Sequence, residues 1–198
     1  FTTGGMRGHS EKMLAKFFPR THNMGIKKSV YDKIGGFGSL RHGQDIEFSN
    51  RIRKSGFIIK FLINAVVYHR RRATIKQFFK QVYNWGVARI NLGIIDSRML
   101  ETIHFIPSVA TLSLIFIYSV FIYFNFPIHL LLLFSLVPLL LLAGYGTYIK
   151  NDPRVFFFLL VVIPLQILGY GIGFLQAFIR RFILKEKEIV GFKKNYYK

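Results

Sequence analysis

Cysteine is absent from this chain of 198 residues, and acidic residues are scarce. Without cysteine the protein forms neither disulfide bonds nor thiolate metal sites. The chain carries nine aspartates and glutamates against 28 lysines and arginines, and its formal net charge is +19. A protein this basic is expected to contact anionic partners, of which nucleic acid and anionic lipid are the general candidates.

Charged side chains are also missing from three long stretches, residues 103–124, 127–149 and 155–179. A helix needs about 20 apolar residues to cross a bilayer, and each stretch is at least that long. We therefore predict a membrane region over residues 102–180, with spans at these three stretches. A basic tail over residues 181–198 follows it.

The sidedness of this membrane region follows from charge, with one alternative left open. Residues 1–101 hold 19 of the 28 basic residues, so the positive-inside rule places them in the cytoplasm. The sequence thus predicts a multi-pass protein of the cell (inner) membrane. Three plain spans would leave the tail outside. The third stretch contains Pro164 and several glycines, and a re-entrant hairpin there would return the tail to the cytoplasm.

The first hundred residues have the pattern of a soluble α/β segment. Helices are predicted over residues 29–34, with Ser29 as N-cap, and over residues 45–54, with Gly56 as the stop. Two β-rich stretches follow, residues 57–63 and 65–69, separated by a turn at Asn64. The fold class expected from this order is α/β followed by membrane helices.

A basic amphipathic helix is predicted over residues 74–98, with Thr74 as its cap. Phe78, Phe79 and Val82 lie on one face, and Lys76 and Lys80 lie on the other. Such a helix next to a membrane span is typical of the lipid interface. Packing against the soluble domain is an equally good interpretation, and both can hold.

The acidic pair Asp45 and Glu47 stands out in so basic a chain. A carboxylate at a helix N-terminus is favoured by the helix dipole, and this interpretation of Asp45 needs no function. The alternative is that Asp45 acts as a general base, which requires reach and the ionised state. The residues alone favour the helix-start interpretation.

A family resemblance favours the general-base interpretation of Asp45 instead. Four segments carry it, in this order: NMGIKKSVYDKIGGF, HGQDIEFSNRIRKSGF, AVVYHRRR and FFKQVYNWGVARINL. Together with the apolar stretches after them, they resemble the C-terminal half of membrane-attached family 2 glycosyltransferases. The resemblance covers roughly residues 1–100. It implies a GT-A-like (nucleotide-sugar transferase) fold and an inverting transfer of sugar in bacterial polysaccharide or glycolipid synthesis.

The resemblance also implies roles for the residues around Asp45. In the family an acidic pair opens a helix that continues to an arginine and a glycine, and its aspartate deprotonates the acceptor. Here the match is Gln44 and Asp45, with Arg51 downstream, so an amide replaces the first acid. Asp45 is therefore the expected catalytic base, and Gln44 and Arg51 are expected to contact substrate.

The family's donor-site motif is missing from the chain. An Asp-x-Asp motif normally holds Mg²⁺ or Mn²⁺ on the donor diphosphate, and no such motif occurs here. We therefore expect a fragment that lacks the donor and metal half and is inactive alone. The divalent cation would belong to the full-length enzyme, with its ligands mostly outside this fragment and His69 as the one candidate within it.

Further substrate contacts are expected at four residues, each with a simpler alternative. His69 and Arg71 would face diphosphate, but a strand-end histidine and a juxtamembrane basic run explain them as well. Gln81 and Trp85 belong to a degenerate form of a Gln-x-x-Arg-Trp motif that binds substrate in processive relatives. An interfacial anchor is the simpler interpretation of Trp85.

The leading hypothesis is a glycosyltransferase that uses a nucleotide-sugar donor and a lipid-linked or glycan acceptor, contacts membrane lipids and binds no nucleic acid. The alternative is a non-enzymatic, membrane-anchored basic module for anionic lipid or nucleic acid. A transport subunit is a weaker rival, because the apolar stretches carry none of the charged residues that mark a translocation path.

Overall fold

The computed structural model describes residues 18–62, 64–68, 74–187 and 190–192. The chain divides into two compact units, residues 1–71 and residues 72–198. The predicted boundaries at residues 101 and 180 differ from this division, and the functional domains they were meant to delimit stay a prediction.

The described part of the first unit contains two α-helices after a 3₁₀ turn at Thr21–Asn23. Helix α1 is Lys28–Ile34, and it ends at Gly35 in the left-handed conformation. Its N-cap is Lys27 without a side-chain hydrogen bond, so the prediction of Ser29 as N-cap was wrong. Helix α2 is Gln44–Lys54. Gly56 follows it at φ 80°, which confirms the predicted glycine stop.

Phe48 of α2 is the centre of this unit's packing and is fully buried. Its ring lies 4.4 Å from that of Phe37 and 5.9 Å from that of Tyr31, measured between centroids. Ile46 and Ile52 of the same helix are also buried. The apolar spacing along α2 therefore sets which of its faces turns inward.

The predicted strands are absent from the described residues, and the α/β fold class is corrected accordingly. Every regular element there is helical, whereas residues 57–62 and 65–68 have no regular structure. Ile58, Lys60 and Leu62 are exposed while the residues between them are half-buried, so the strand-like alternation is kept. A strand is stabilised by hydrogen bonds to a neighbouring strand, and no ladder partner is present among the described residues.

Four α-helices lie in the described part of the second unit. Helix α3 is Ile75–Ile95, and the Thr74 hydroxyl accepts a hydrogen bond from the Gln77 amide at 3.2 Å, which confirms the predicted cap. Two 3₁₀ turns, Ser97–Met99 and Thr102–His104, lead into α4, Ile106–Tyr123. Helix α5 is Ile128–Lys150, and α6 is Arg154–Phe178. A π-helical turn, Ile179–Ile183, extends α6.

Three segments of this unit are long and apolar enough to cross a membrane: Thr102–Tyr123, His129–Lys150 and Arg154–Ile183. They correspond to the three uncharged stretches of the sequence. Membrane association follows from their length and composition. Pro164 lies within α6 without interrupting it, and the re-entrant alternative stays a prediction.

Glycines bring α3 and α6 into close contact. A Cβ added to Gly86 of α3 would lie 2.3 Å from the Tyr170 carbonyl oxygen, and one added to Gly173 of α6 would lie 2.2 Å from the Tyr83 carbonyl oxygen. Gly169, one turn earlier on α6, faces Val82 and Phe79 in the same way. The two backbones therefore touch at a surface that admits no side chain, as is typical of helix pairs in membranes.

The opposite side of α6 packs against α4. A Cβ at Gly171 would lie 2.1 Å from the Thr111 hydroxyl oxygen, and that hydroxyl lies 3.3 Å from the Ile167 carbonyl oxygen. The Phe105 ring, just before α4, meets the Phe174 ring at 5.0 Å between centroids. Helix α6 is thus the central element of the second unit.

Candidate active site

The carboxylate of Asp45 is held at the first turn of α2. Gly43, at φ 86°, is the N-cap, and Asp45 is the second residue of the helix, as predicted. Its Oδ2 accepts a hydrogen bond from Arg20 Nη1 at 2.9 Å, and its Oδ1 accepts one from the Ile46 amide at 3.0 Å. The side chain is 15% exposed. Asp45 is therefore fixed by one cation and by the N-terminus of its helix.

Arg20 is the residue of this site that sequence reasoning missed. It lies 25 positions before Asp45, and neither a local pattern nor the resemblance pointed to it. Only its positive charge was visible, in a chain where basic residues are common. In the structure, Arg20 is distinguished from the other basic residues by its ion pair with Asp45.

The second acid, Glu47, pairs with Arg51 one helical turn later. Arg51 Nε donates to Glu47 Oε1 at 2.5 Å and Nη2 donates to Oε2 at 3.0 Å. The guanidinium also donates to the carbonyl oxygens of Ile34, at 2.8 Å, and Gly36, at 2.6 Å. Arg51 was predicted to contact substrate, and in this structure it binds the end of α1 to the side of α2. Its substrate role stays a prediction.

Gln44 forms a hydrogen bond with the loop that precedes α2. Its Nε2 donates to the Gly38 carbonyl oxygen at 3.1 Å. Gly38 itself lies under Glu47, whose Oε2 would be 3.0 Å from an added Cβ. Gln44 and Arg51 thus hold two points of the loop between α1 and α2, and the end of that loop places Asp45.

A cavity of about 580 Å³ lies in the same unit. It is lined by the extended residues 56–62, by Pro19 and residues 23–27, and by Val30, Ile52 and Ala65. Asp45 does not line it, so the expectation that its carboxylate faces an open cleft stays a prediction. Two of the lining residues are joined by a hydrogen bond, from the Asn23 amide to the Ala65 carbonyl oxygen at 3.0 Å.

The residues present do not fit a divalent cation. Over the described ranges no group of three histidine, aspartate or glutamate side chains lies close enough to hold a metal ion. Asp45 and Glu47 are each paired with an arginine instead. His69 and Arg71, the predicted metal candidate and diphosphate ligand, lie outside the described residues.

The predicted motif on α3 lies in the second unit. Gln81 and Trp85 are half-buried, and Trp85 packs against the cluster formed by Val87, Ile90 and Phe174 with their neighbours. Asn84, between them, is 1% exposed, and its Oδ1 accepts a hydrogen bond from the Phe192 amide at 2.9 Å. The Asn84 side chain of this motif is therefore hydrogen-bonded to the protein's own backbone. The substrate roles of Gln81 and Trp85 stay predictions.

Comparison with known proteins gives a match at the level of the family. A family model described as glycosyl transferase family group 2 matches residues 5–170. Comparisons with curated proteins and with solved structures give no match.

Proposed function

Because this chain belongs to glycosyl transferase family group 2, we propose that it transfers a sugar from a nucleotide-sugar donor to a lipid-linked acceptor, in polysaccharide or glycolipid synthesis. The three apolar helices support a lipid-linked acceptor, since they associate the site's chain with a membrane. The family match favours this function over the alternative of a non-enzymatic basic module.

The proposed reaction inverts the configuration at the sugar. The acceptor hydroxyl gives its proton to the Asp45 carboxylate, and its oxygen attacks the anomeric carbon. The bond between that carbon and the donor diphosphate breaks, and the nucleoside diphosphate leaves with the bonding electrons. A general base of this kind contributes typically about 10²–10⁴-fold to the rate.

The placement of Asp45 carries this proposal. A carboxylate has about four acceptor positions. Arg20 and the Ile46 amide occupy two of them, so acceptor capacity is left for a substrate hydroxyl. The partners hold the group in one orientation at a helix N-terminus. Arg51 and Gln44 act as positioning residues, because they fix the loop that leads to Asp45.

The test is the Asp45→Asn variant, which keeps size and polarity and removes the basic group. We expect turnover of the full-length enzyme, measured in membranes supplied with nucleotide sugar, to fall by about 10²–10⁴-fold. The matched control is Asp32→Asn on the exposed face of α1, which should leave turnover unchanged.

Thermal unfolding of both variants guards against a folding defect. Asparagine keeps a side-chain oxygen that can accept from the Ile46 amide, and Arg20 is partly exposed to water, so Asp45→Asn should remain folded. If the folded Asp45→Asn protein keeps near-normal turnover, the catalytic role is wrong and Asp45 is a helix-start residue paired with Arg20.

A further inference from the structure

The C-terminal segment, residues 190–192, is bound to the side of α3. The Phe192 amide donates to Asn84 Oδ1 at 2.9 Å, and the Asn84 side chain is buried there. Gly191 lies so close that an added Cβ would be 2.0 Å from Asn84 Oδ1. The segment therefore fits a surface that is shaped to its backbone.

The Phe192 ring adds side-chain contacts to this site. Its centroid lies 4.9 Å from that of Tyr83 and 6.5 Å from that of Phe79, and both pairs meet edge to face. The Lys80 ammonium lies 5.5 Å from the same centroid. Edge-to-face rings and a cation over a ring are both attractive arrangements. Four residues of one α3 face thus bind one aromatic residue and its amide.

The chain reverses direction between α6 and this segment. The π-helical turn Ile179–Ile183 is closed by hydrogen bonds from the Leu184 amide to the Ile179 carbonyl oxygen and from the Glu186 amide to the Arg180 carbonyl oxygen. Lys185 adopts φ 52°, the left-handed conformation that ends helices. Arg180 pairs with Glu186 across the turn. Residues 190–192 consequently lie back beside α3 rather than onward from the end of α6.

Helices α4 and α6 run in opposite directions where they pack. Thr111 meets Ile167, Pro107 and Thr111 meet Gly171, and Phe105 meets Phe174. As the contacts move back along α4 from Thr111 to Phe105, they move forward along α6 from Ile167 to Phe174, so the two helices are antiparallel. The start of α4 and the end of α6 consequently lie at one end of the pair, and the end of α4 and the start of α6 lie at the other.

Helix α5 joins those two far ends. The Tyr118 hydroxyl of α4 lies 3.2 Å from the Ser135 hydroxyl, and Gly146 near the end of α5 faces Leu159 near the start of α6. Three helices that each crossed a membrane in turn would make α4 and α6 parallel. The contacts show the antiparallel arrangement instead.

We propose that the α3 face formed by Phe79, Lys80, Tyr83 and Asn84 is the receptor surface for the chain's own segment 190–192 in the membrane. The C-terminal segment and α3 then lie on the same side. Helices α4 and α6 each cross the bilayer once, and α5 stays at the far side. This arrangement gathers the basic residues of α3 and of residues 180–187 on one side, as the positive-inside tendency favours.

Cysteine labelling tests this topology directly, because the natural chain contains no cysteine to interfere. Single cysteines replace the exposed residues Lys76, Asn125, Lys150 and Lys187 of the full chain. A membrane-impermeant maleimide is applied to sealed vesicles of known orientation. Lys76→Cys marks the side of α3, and Asn125→Cys marks the connection between α4 and α5.

We expect Lys187→Cys to label from the same side as Lys76→Cys, and Lys150→Cys to label with Asn125→Cys on the opposite side. Three plain spans give the reverse assignment for both Lys150→Cys and Lys187→Cys. That result would overturn the proposal, as would labelling of all four positions from one side.

A second measurement tests the docking itself. The substitution Asn84→Leu is introduced into a Val190→Cys protein, where it removes the acceptor of the Phe192 amide. It also removes the Asn84 Nδ2, which is buried without an acceptor among the described residues. Because a buried unpaired donor is lost as well, the protein should fold. We expect maleimide to label Val190→Cys about fivefold faster or more, because a lost hydrogen bond is worth about a factor of that size. Labelling of Lys187→Cys is the control and should not change. An unchanged rate at residue 190 would show that segment 190–192 does not dock through Asn84.

Discussion

The contact of α3 with α6 gives a quantitative prediction through Gly173. In Gly173→Ala the new Cβ would lie 2.2 Å from the Tyr83 carbonyl oxygen, 2.9 Å from its carbonyl carbon and 3.1 Å from its Cα. All three atoms belong to the backbone of α3, so no side chain can rotate away. Normal contact begins at 3.4 Å, and the helices must therefore separate locally by about 1 Å.

The cost of that separation follows from overpacking. Adding a methyl group to a well-packed interface costs typically about 1–3 kcal/mol. The intrinsic preference of alanine over glycine in a helix recovers about 0.5–1 kcal/mol of this. The expected net effect on the free energy of unfolding is thus a loss of about 1 kcal/mol, with an upper bound of about 2.5 kcal/mol.

The matched control is Gly144→Ala in α5, where an added Cβ has nothing within 4 Å. Here only the helix preference acts, and the free energy of unfolding should rise by about 0.5–1 kcal/mol. The two substitutions are chemically identical and lie in helices of similar apolar character. They are expected to change stability with opposite signs.

The assay uses the single tryptophan of the chain. Trp85 lies on α3 and packs against the cluster that includes Phe174 of α6, so its fluorescence reports on this interface. Denaturation in detergent, followed by that fluorescence, gives the midpoint for each variant. If Gly173→Ala were as stable as the natural chain, or if both variants shifted in the same direction, the close backbone approach would not be what holds α3 to α6.

Two further predictions concern charged groups. Glu47→Gln should lower the free energy of unfolding by about 1–3 kcal/mol, since Arg51 loses a charged partner in a mostly buried site. The control is Asp32→Asn at an exposed position, which should show no such loss in the same melt. The hydrogen bond from Arg180 lowers the pKa of Glu186, so its stabilising effect is present above the ordinary glutamate range and is lost as the pH falls through the lowered value. The melting temperatures of the natural chain and Glu186→Gln should therefore differ at neutral pH and converge once the pH falls below the lowered pKa of Glu186. A difference that persisted in strong acid would contradict this assignment.

Local patterns predicted the helices well. The apolar spacing of Ile46, Phe48 and Ile52 and the stop at Gly56 gave α2 to within one residue, and Thr74 marked the start of α3. The uncharged stretches gave three helices of membrane-spanning length. Each of these signals depends on residues close in sequence, so a single chain contains the information.

Features that depend on distant residues were not predicted. Residues 57–62 have the alternation of a strand, but a strand also needs a neighbour, which no local pattern supplies. Arg20 pairs with Asp45 across 25 positions, and Phe192 binds Asn84 across 108 positions. Gly169, Gly171 and Gly173 were interpreted as signs of a bent helix, whereas they allow α6 to touch both α3 and α4.

The glycine contact between α3 and α6 also has a consequence for biosynthesis. About 80 residues separate Gly86 from Gly169 and Gly173, and a ribosome adds about 5–20 residues per second. Helix α3 is therefore synthesised on the order of ten seconds before the surface of α6 that it packs against. Its apolar face must spend that interval against lipid or a chaperone, and the protein's assembly is complete only when the last helix has been inserted.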